Sequence, residues 1–372
     1  MSRSLLFAQM RSYARRGQVE VVAAAFAFAA SVPATKLLLA DASPLALSGV
    51  LYLSAGVLCA VLVAISRRTG AAAKSRSIRG TEWLWLGGAT LSGAVLAPLL
   101  LFLGLRQMSG HVTGLLLNFE AVFTVGLSVV LSGERLGRRG WLGALAVLGG
   151  AVLLSLPEGA ASPSPTRWTG IALVVGACAL WGLDNNLIQR VSLRDARQIT
   201  AIKGLAGGIL SLLLAKACGG FGQWTGARLA VATAIGAVSF GLSIVLFVRG
   251  LRSLGVIQTG MLFALAPGFA AILSWIFLRE QIAVRSLTAL LAMTAGALLL
   301  VLDRHEHRHE HETEEHAHEH AHDDHHRHEH DAVHLAQTPH AHEHRHEAMT
   351  HVHGHLHDVH HRHRHGGGGR TP

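Results

Sequence analysis

Acidic residues are scarce in most of this 372-residue chain, because only nine of its 23 Asp and Glu residues precede Asp303. Cysteine is also rare, and Cys59, Cys178 and Cys218 show no CxxC spacing. This scarcity argues against a disulfide framework or a cysteine zinc site and favours packing roles. The sequence has no P-loop with its Lys-Ser/Thr pair, which argues against ATP as the energy source. No Ser/His/Asp or Cys/His arrangement indicates an enzyme.

Long apolar stretches fill the first 302 positions. Each runs for ~20 residues, is apolar on all sides, and ends at a short break containing Arg, Gly or Pro. Segments of this length cross a bilayer core as helices. The sequence therefore predicts an all-α integral membrane protein with ten transmembrane helices and a disordered C-terminal tail. The predicted spans are Val19–Leu39, Leu45–Ser66, Trp83–Leu103, Val112–Leu131, Trp141–Leu156, Trp168–Gln189, Ile199–Ala217, Leu229–Val248, Val256–Leu278 and Val284–Leu302.

Lys and Arg residues are distributed unevenly among the predicted loops. The amino end and the loops after the even-numbered spans hold 17 of the 25 basic residues that precede Asp303, and the opposite loops hold six. The positive-inside rule places the basic set in the cytoplasm, so both termini are predicted to be cytoplasmic. Since loop charge explains the basic balance, no nucleic-acid partner is predicted. The amino end lacks a clear cleavage pattern, and we interpret it as a first helix and not as a signal peptide.

One stretch of the first half recurs in the second half. Residues 104–154 align on residues 250–300 without a gap, at a shift of 146, and Glu134 falls on Glu280. Each copy holds five spans, which is an odd number, so the second copy must enter the membrane inverted. Two inverted five-helix repeats are a recurring architecture of secondary transporters, with the substrate site near the bilayer midplane between the halves.

The chain also resembles the paired EamA domains of the drug/metabolite transporter superfamily. The residues that carry the resemblance are Trp181–Asn186, Ala42–Leu47, Gly133–Leu136 and Arg279–Ile282. The first copy departs from the family pattern, because Ser-Val-Pro at 31–33 stands where Trp-Gly and a small polar residue are usual. The resemblance covers about residues 17–302 and implies export or exchange of small metabolites, driven by gradients.

Five segments follow from these patterns. They are a cytoplasmic amino-terminal segment (1–18), a first five-helix EamA-like repeat (19–156), a linker (157–167), a second repeat (168–302) and a His-rich cytoplasmic tail (303–372).

Eight polar or charged residues lie in or at the ends of the predicted spans, where a charge at a helix centre costs ~2.5–3.5 kcal/mol. These candidate substrate- or ion-binding residues are Glu120, Asn118, Asp184, Asn185, Asn186, Lys36, Lys203 and His111. In the functional interpretation, Glu120 and Asp184 bind a cation, a proton or an amine, and the asparagines add hydrogen bonds. In the structural alternative, one carboxylate pairs with Lys36 or Lys203 and only holds helices together.

Helical spacing places His111, Gly114 and Asn118 on one face of the fourth span, with Glu120 about 200° further round from Asn118. Glu134 and Glu280 stand at helix ends, where we expect structural capping and local pairing.

The tail carries 25 of the 26 histidines, mostly at every second position and mixed with Glu and Asp. Neutral imidazole is a good ligand for zinc, nickel, cobalt and copper, with carboxylates as secondary ligands. A solubilising tail and a pH-responsive tail remain alternatives. The predicted metal ligands are His305, His307, His309, His311, His316, His318, His320, His322, His342, His344, His346, His351, His353, His355 and His357.

The sequence favours a secondary active transporter, an exporter or exchanger, for a small metabolite or drug, with a metal-binding regulatory tail. A divalent transition-metal transporter of the same fold and a non-transporting membrane metal sensor or buffer are the alternatives. No cofactor is expected for transport itself. The expected partners are the lipid bilayer, a small-molecule substrate and divalent metal ions at the tail, and a homodimer is left open. The expected location is the bacterial inner membrane.

Overall fold

A computed structural model describes the helices of the membrane domain and four strands of the tail. The described residues are 3–69, 78–132, 137–155, 165–191, 195–281, 283–302, 305–311, 314–320, 340–346 and 349–355. Glu134, His322, His357 and most of the 157–167 linker lie outside these ranges.

Fourteen α-helices and two π-helical segments form the membrane domain within those ranges. The α-helices are α1 Arg3–Ala29, α2 Ser31–Leu38, α3 Pro44–Arg68, α4 Glu82–Ala89, α5 Ala97–Gln107, α6 Gly110–Leu116, α7 Phe119–Ser132, α8 Arg138–Ser155, α9 Pro165–Gln189, α10 Ala196–Ala217, α11 Gly226–Ile235, α12 Ser243–Phe263, α13 Ala266–Phe277 and α14 Val284–Val301. The π-helical segments Thr90–Leu96 and Gly236–Leu242 join α4 to α5 and α11 to α12.

The predicted all-α membrane architecture is confirmed, and each of the ten predicted spans coincides with helix. Within the described residues, seven helical stretches are long and apolar enough to cross a membrane, and Ala266–Phe277 and Val284–Leu300 are shorter apolar helices. The predicted fifth span corresponds to α8, Arg138–Ser155.

Short polar residues determine where several helices begin. Ser43 caps α3 from an extended backbone (φ −70°, ψ 145°), because its Oγ accepts the N–H of Ala46 at 3.2 Å and Pro44 occupies the first turn. Asp195 caps α10 in the same way by accepting the N–H of Arg197 at 2.9 Å.

Helix α12 contains a reversal of chain direction. Gly250 and Thr259 are nine residues apart, which would separate them by about 13.5 Å along a straight helix. A Cβ atom on Gly250 would nevertheless lie 3.5 Å from Thr259 Oγ1. The chain therefore turns back between them, and the eighth and ninth spans run in opposite directions.

Equivalent helices of the two repeats pack in antiparallel pairs. In the α8–α14 pair, a Cβ atom on Gly143 would lie 2.5 Å from the carbonyl oxygen of Gly296. Their counterparts at the 146-residue shift, Ala289 and Gly150, meet in turn, since a Cβ atom on Gly150 would lie 3.4 Å from the Ala289 carbonyl oxygen. Reciprocal contacts of this kind are the mark of a two-fold relation, so the inverted arrangement of the repeats is confirmed.

The apolar core lies along the interface of the repeats, and its largest fully buried side chains include Phe102, Leu47 and Leu51. Helices α3 and α10 cross there at Gly56 and Gly204, where a Cβ atom on Gly56 would lie 2.7 Å from the Gly204 carbonyl carbon. Small residues thus allow the two backbones to approach closely.

Two pairs of spans leave regular α-helix at matching positions. The two π-helical segments, Thr90–Leu96 and Gly236–Leu242, are related by the 146-residue shift. The fourth span is interrupted at 117–118 and the ninth at 264–265. Interrupted helices free backbone groups, and such groups line the substrate sites of secondary transporters. These four places are therefore candidate positions for the substrate site.

The tail contains regular structure where we predict none. Four strands, β1 His305–His311, β2 Glu314–His320, β3 His340–His346 and β4 Met349–His355, form two antiparallel pairs, β1 with β4 and β2 with β3. Alternation of histidine with other residues has the period of two that suits an extended strand. The absence of an apolar face does not prevent this backbone pairing.

Candidate functional site

Helices α7 and α9 are held tightly together by small and polar residues. Gly182 lies against α7, since a Cβ atom there would lie 2.8 Å from Phe123 Cβ. One turn later, Asn186 donates to the Thr124 carbonyl oxygen at 3.0 Å and accepts the Ser128 hydroxyl at 2.9 Å. Because Asn186 is buried and satisfied by these bonds, its main contribution is to join the fourth span to the sixth.

The carboxylate of Glu120 lies beside this helix contact. Asn185 Nδ2 donates to Glu120 Oε1 at 3.0 Å and lies 3.1 Å from Thr124 Oγ1. Asn185 is exposed and Glu120 is half-buried, so the pair borders a space that protein atoms do not fill. Within the described part of the chain, no Lys, Arg or His side chain forms an ion pair with Glu120.

Asp184 and Lys203 form a buried ion pair between α9 and α10. Lys203 Nζ lies 2.6 Å from each carboxylate oxygen of Asp184, and Asp184 is only 7% exposed. The carboxylate rests against the backbone of Gly93 in the first π-helical segment, where any side chain would collide with it. The pairing of Asp184 with Lys203 is the contact that the structural alternative expects.

The carbonyl oxygen of Gly93 is available for side chains because of the π-helical geometry. In a regular α-helix the N–H of Ala97 would bond to the Gly93 carbonyl oxygen, but here it bonds to that of Ser92. In π-helical geometry the donor to Gly93 would be residue 98, and Pro98 has no N–H. Tyr52 Oη and Trp181 Nε1 donate to this oxygen at 2.8 Å and 3.0 Å. These bonds connect the second, third and sixth spans around Asp184.

This group of side chains carries one uncompensated negative charge. Glu120 and Asp184 each carry −1 when ionised and Lys203 carries +1, so the net charge is −1, and Glu120 lies within electrostatic range of both other groups. A site of this kind attracts a proton, a cation or a protonated amine.

Asn118 lies in the break of the fourth span, apart from the Glu120 group. Its Nδ2 donates to the Leu115 carbonyl oxygen at 2.9 Å, and it is 2% exposed. The buried Oδ1 has no hydrogen-bond partner among the described residues. Since Asn118 bonds its own helix end, the structure gives it the contacts of a cap for α6.

A second polar group, the outer cluster, lies where the predicted orientation places non-cytoplasmic loops. Its members are Lys36, Arg106, His111, Glu280 and Ser286. The structure therefore separates Lys36 and His111 from Glu120, Asp184, Asn185 and Lys203.

Lys36 binds backbone carbonyl groups at the end of α5, and Arg106 binds carbonyl groups just after the end of α2. Lys36 Nζ donates to the Leu105 carbonyl oxygen and, at 2.5 Å, to that of Met108. Arg106 Nη2 donates to the Ala42 carbonyl oxygen at 2.6 Å. Cations at a helix C-terminus satisfy carbonyl groups that lack intrahelical partners, so these contacts are structural.

Glu280 links the second repeat to the start of α6. Its carboxylate accepts the backbone N–H groups of Gly110 at 2.6 Å and His111 at 2.9 Å, and Oε2 lies 2.7 Å from His111 Nδ1. Ser286 Oγ lies 3.4 Å from the other ring nitrogen, Nε2. Arg279, just before Glu280, adopts a left-handed backbone (φ 52°), a conformation that costs about 1–3 kcal/mol and is compensated by these bonds. The expected capping role of Glu280 is thus seen, with a partner helix from the other repeat.

These bonds also set the titration of Glu280. Burial alone would raise the pKa of the carboxyl group, but hydrogen bonds from the His111 ring and from the His111 and Gly110 N–H groups hold the pKa below its ordinary value of 4.5. A group whose pKa is lower in the folded state stabilises the fold above its ordinary pKa. That stabilisation is lost as the pH falls through the folded-state pKa.

Replacing Glu280 by Gln is therefore expected to lower the melting temperature most at neutral pH. The difference from wild type should begin to shrink as the pH falls below 4.5 and should vanish below the lower folded-state pKa, where the wild-type carboxylate is protonated as well. Melting curves of both proteins in detergent between neutral and acidic pH provide the measurement. Glu20→Gln, which breaks only a local pair with Arg16, is the control with little expected effect. A difference that stays constant with pH would contradict the assignment.

Four further residues of the site, Tyr52, Gly93, Thr124 and Trp181, are not marked as site residues by the sequence. An uncharged residue inside an apolar span lacks the large free-energy cost of insertion that draws attention to a buried charge. The hydrogen-bond partners of these residues also lie in other spans, which the sequence of one span does not reveal. The sequence does contain one indication, Pro98, which lies five residues after Gly93. Because proline has no N–H, it cannot donate the π-helical hydrogen bond to the Gly93 carbonyl oxygen.

No group of three or more His, Cys, Asp or Glu able to hold a metal ion occurs among the described residues. For the predicted histidine ligands in β1 to β4, the structure describes the backbone and its pairing.

Comparisons with known proteins agree with this architecture. The chain is 29% identical over 304 residues to an uncharacterized transporter of Methanothermobacter thermautotrophicus, covering 78% of this chain and 88% of that protein. It is 32% identical over 252 residues to an uncharacterized protein of Pseudomonas aeruginosa, covering 68% and 82%. One solved protein crystal structure shares the fold, with a TM-score of 0.56 and 19% identity over 76% of this chain and 95% of that one.

The family model described as the EamA-like transporter family matches residues 15–156 and again 168–302. Together the two matches cover most of the chain and both five-span copies, so this integral membrane protein belongs to the EamA-like transporter family.

Proposed function

We propose that the protein is a secondary active transporter that exports or exchanges a small metabolite or drug. The observation that carries the proposal is the Glu120–Asn185 hydrogen bond, which joins an exposed amide of the sixth span to a carboxylate in the middle of the fourth. Among the described residues this carboxylate has no ion-pair partner. Polar side chains at that depth rarely face lipid, and they usually border the bundle interior or a water-filled cavity. In transporters built from inverted repeats, the substrate site lies at this depth between the halves.

The chemistry of the pair favours a cationic or amine-bearing substrate, or a proton. Glu120 offers the uncompensated negative charge, while Asn185 and Thr124 offer hydrogen-bond donors and acceptors. A proton and a protonated amine would compete for the same carboxylate. Competition of this kind couples the movement of one to that of the other when the site opens to alternate sides.

The outer cluster supplies the contacts that would have to break for opening on its side. Glu280 and Ser286 belong to the second repeat, whereas His111 belongs to the first. Rocking of one repeat against the other would separate them. This arrangement supports a state that is closed at the outer cluster.

The metal-transporter alternative is less well supported. Zinc, nickel, copper and cobalt prefer imidazole and thiolate ligands. The side chains bonded around Glu120 offer amide and hydroxyl groups, and the buried Cys178 donates its thiol to the Leu116 carbonyl oxygen at 3.6 Å. A sensor that does not transport would have no need of the polar pair between the repeats.

We further propose that the tail binds late transition metals and regulates transport, and that both termini lie in the cytoplasm of a bacterium, with the protein in the inner membrane. The loop distribution of Lys and Arg supports the orientation.

Transport by purified protein in proteoliposomes tests the function. A panel of amines, amino acids, drugs and divalent metal ions is offered with and without a pH gradient, and uptake is compared with empty liposomes. We expect uptake of an organic compound that responds to the gradient. Uptake of metal ions alone would favour the metal transporter, and absence of any transport with intact tail metal binding would favour the sensor.

A further inference from the structure

The strand pairing in the tail brings distant histidines into register. In each of the two ladders, three pairs of histidines stand directly opposite one another. The pairs are His305–His355, His307–His353 and His309–His351 in β1–β4, and His316–His344, His318–His342 and His320–His340 in β2–β3.

Strand geometry defines how these positions are arranged. Residues at every second position of a strand share one face, so the three pairs of a ladder lie on the same face of its two-stranded sheet. Directly opposed residues in an antiparallel ladder have Cβ atoms about 4.5–5.5 Å apart, and successive pairs follow at about 6.8 Å along the strand. Each ladder thus brings together six histidine positions from two separate segments of the chain. The two segments are about 40 residues apart in sequence for β1–β4 and about 20 residues apart for β2–β3.

We propose that each ladder is a transition-metal site whose imidazole ligands come from both strands. Zinc and its neighbours bind imidazole nitrogen at about 2.0–2.1 Å, and zinc commonly takes four ligands. Two neighbouring register pairs supply four histidines within a rectangle of about 5 by 7 Å, which is the scale that four imidazoles around one ion require. Mg²⁺ and Ca²⁺ prefer oxygen ligands and should bind weakly.

This inference rests on the proposed metal-binding role of the tail and adds which histidines act together. The simpler arrangement would use neighbours at positions i and i+2 of a single strand, so that all histidines would be equivalent. In cross-strand ligation, one ion instead binds histidines of both strands and so links β1 to β4, or β2 to β3. Metal binding and the strand pairing would then stabilise each other.

Two variants with equal histidine losses distinguish these arrangements. The ladder variant replaces six histidines of β1 and β4 by alanine: His305, His307, His309, His351, His353 and His355. The matched control replaces six histidines that lie outside both ladders and outside the predicted ligand set: His325, His326, His328, His330, His334 and His360. Each variant retains 19 of the 25 tail histidines.

Ni²⁺ binding to the full-length protein in detergent, in competition with a chelator, is the first measurement. We expect the ladder variant to lose about one tightly bound Ni²⁺ ion per chain, or about tenfold in affinity, while the control resembles wild type. Equal losses in both variants would overturn the ladders and leave tail metal binding standing. If removal of residues 303–372 left Ni²⁺ binding unchanged, the proposed role of the tail would fail as well.

A cleavable tail provides a second measurement. A protease site is inserted within residues 321–339 of the full-length protein, so that cleavage separates β3 and β4 from the membrane domain. With Ni²⁺ bound, the carboxyl-terminal fragment should stay with the membrane domain and be released by EDTA. Release in the presence of Ni²⁺ would show that the ions bind within single segments and would overturn the proposal.

Discussion

Substitution of Glu120 by Gln is expected to abolish gradient-driven transport and to leave the protein folded. Glutamine keeps the shape of the side chain, and its carbonyl oxygen can still accept the Asn185 amide that now lies 3.0 Å from Glu120 Oε1. The negative charge and the ability to bind a proton are lost. Charge-assisted hydrogen bonds contribute about 1.5–3 kcal/mol, so binding of a cationic substrate should weaken by about 10- to 100-fold.

Proteoliposome uptake with an imposed pH gradient measures this effect. Wild-type uptake should depend on the gradient, and uptake by the variant should equal that of empty liposomes. Glu20→Gln removes a carboxylate from the local Arg16–Glu20 pair and should transport normally. Wild-type rates in Glu120→Gln, with unchanged yield and melting temperature, would remove Glu120 from the site.

The repeat and the inversion could be predicted because they depend on local properties. Span length, loop charge and ungapped self-similarity need no knowledge of which helices touch. The α8–α14 contact of Gly143 with Gly296, and of Gly150 with Ala289, has the symmetry that an odd number of spans requires.

The interruptions of the helices could not be predicted in the same way. The shared face proposed for His111 and Asn118 assumed one continuous helix, whereas the fourth span breaks at 117–118. His111 instead meets Glu280, and Asn118 bonds Leu115. A helical wheel fixes angles only within an unbroken helix.

Partner choice among the intramembrane charges also lay beyond the sequence. Both Lys36 and Lys203 were candidates for pairing with Asp184 or Glu120, because spacing within a span says nothing about neighbouring spans. Helices α9 and α10 both pack against the first π-helical segment, and this brings Lys203 to Asp184. The end of α5 binds Lys36 through backbone carbonyl groups. The hydrogen bonds of Lys36 do not depend on any acidic residue.

Breaking the Asp184–Lys203 pair on one side is expected to produce the largest loss of stability in the membrane domain. Removal of one partner from a buried ion pair costs about 3–5 kcal/mol, because the other charge stays buried without compensation. Lys203→Val and Asp184→Leu should therefore each reduce the yield of folded protein and lower the melting temperature markedly. The Lys203 ammonium lies 2.6 Å from both Asp184 oxygens, and no other cationic side chain of the described residues forms an ion pair with Asp184.

A double variant with two apolar residues is the compensating change. Replacing a buried ion pair by well-packed apolar residues is often neutral or stabilising, because no buried charge is left without a partner. The double variant Asp184→Leu/Lys203→Val should therefore recover most of the stability that each single change loses. Melting temperatures of the four proteins form a double-mutant cycle, and additive losses would show that the pair is not coupled.

Transport by the double variant then shows whether the Asp184–Lys203 pair has only a structural role or is also needed for transport. If the pair only holds α9 to α10, an apolar pair should serve as well and transport should persist. If Asp184 also helps to set the charge at Glu120, the protein should fold but lose transport, since Glu120 lies within electrostatic range of both partners. We expect the second outcome, because removing both charges leaves the net charge at −1 but takes away the dipole beside Glu120. Normal transport by the stable double variant would restrict the substrate site to Glu120, Asn185 and Thr124.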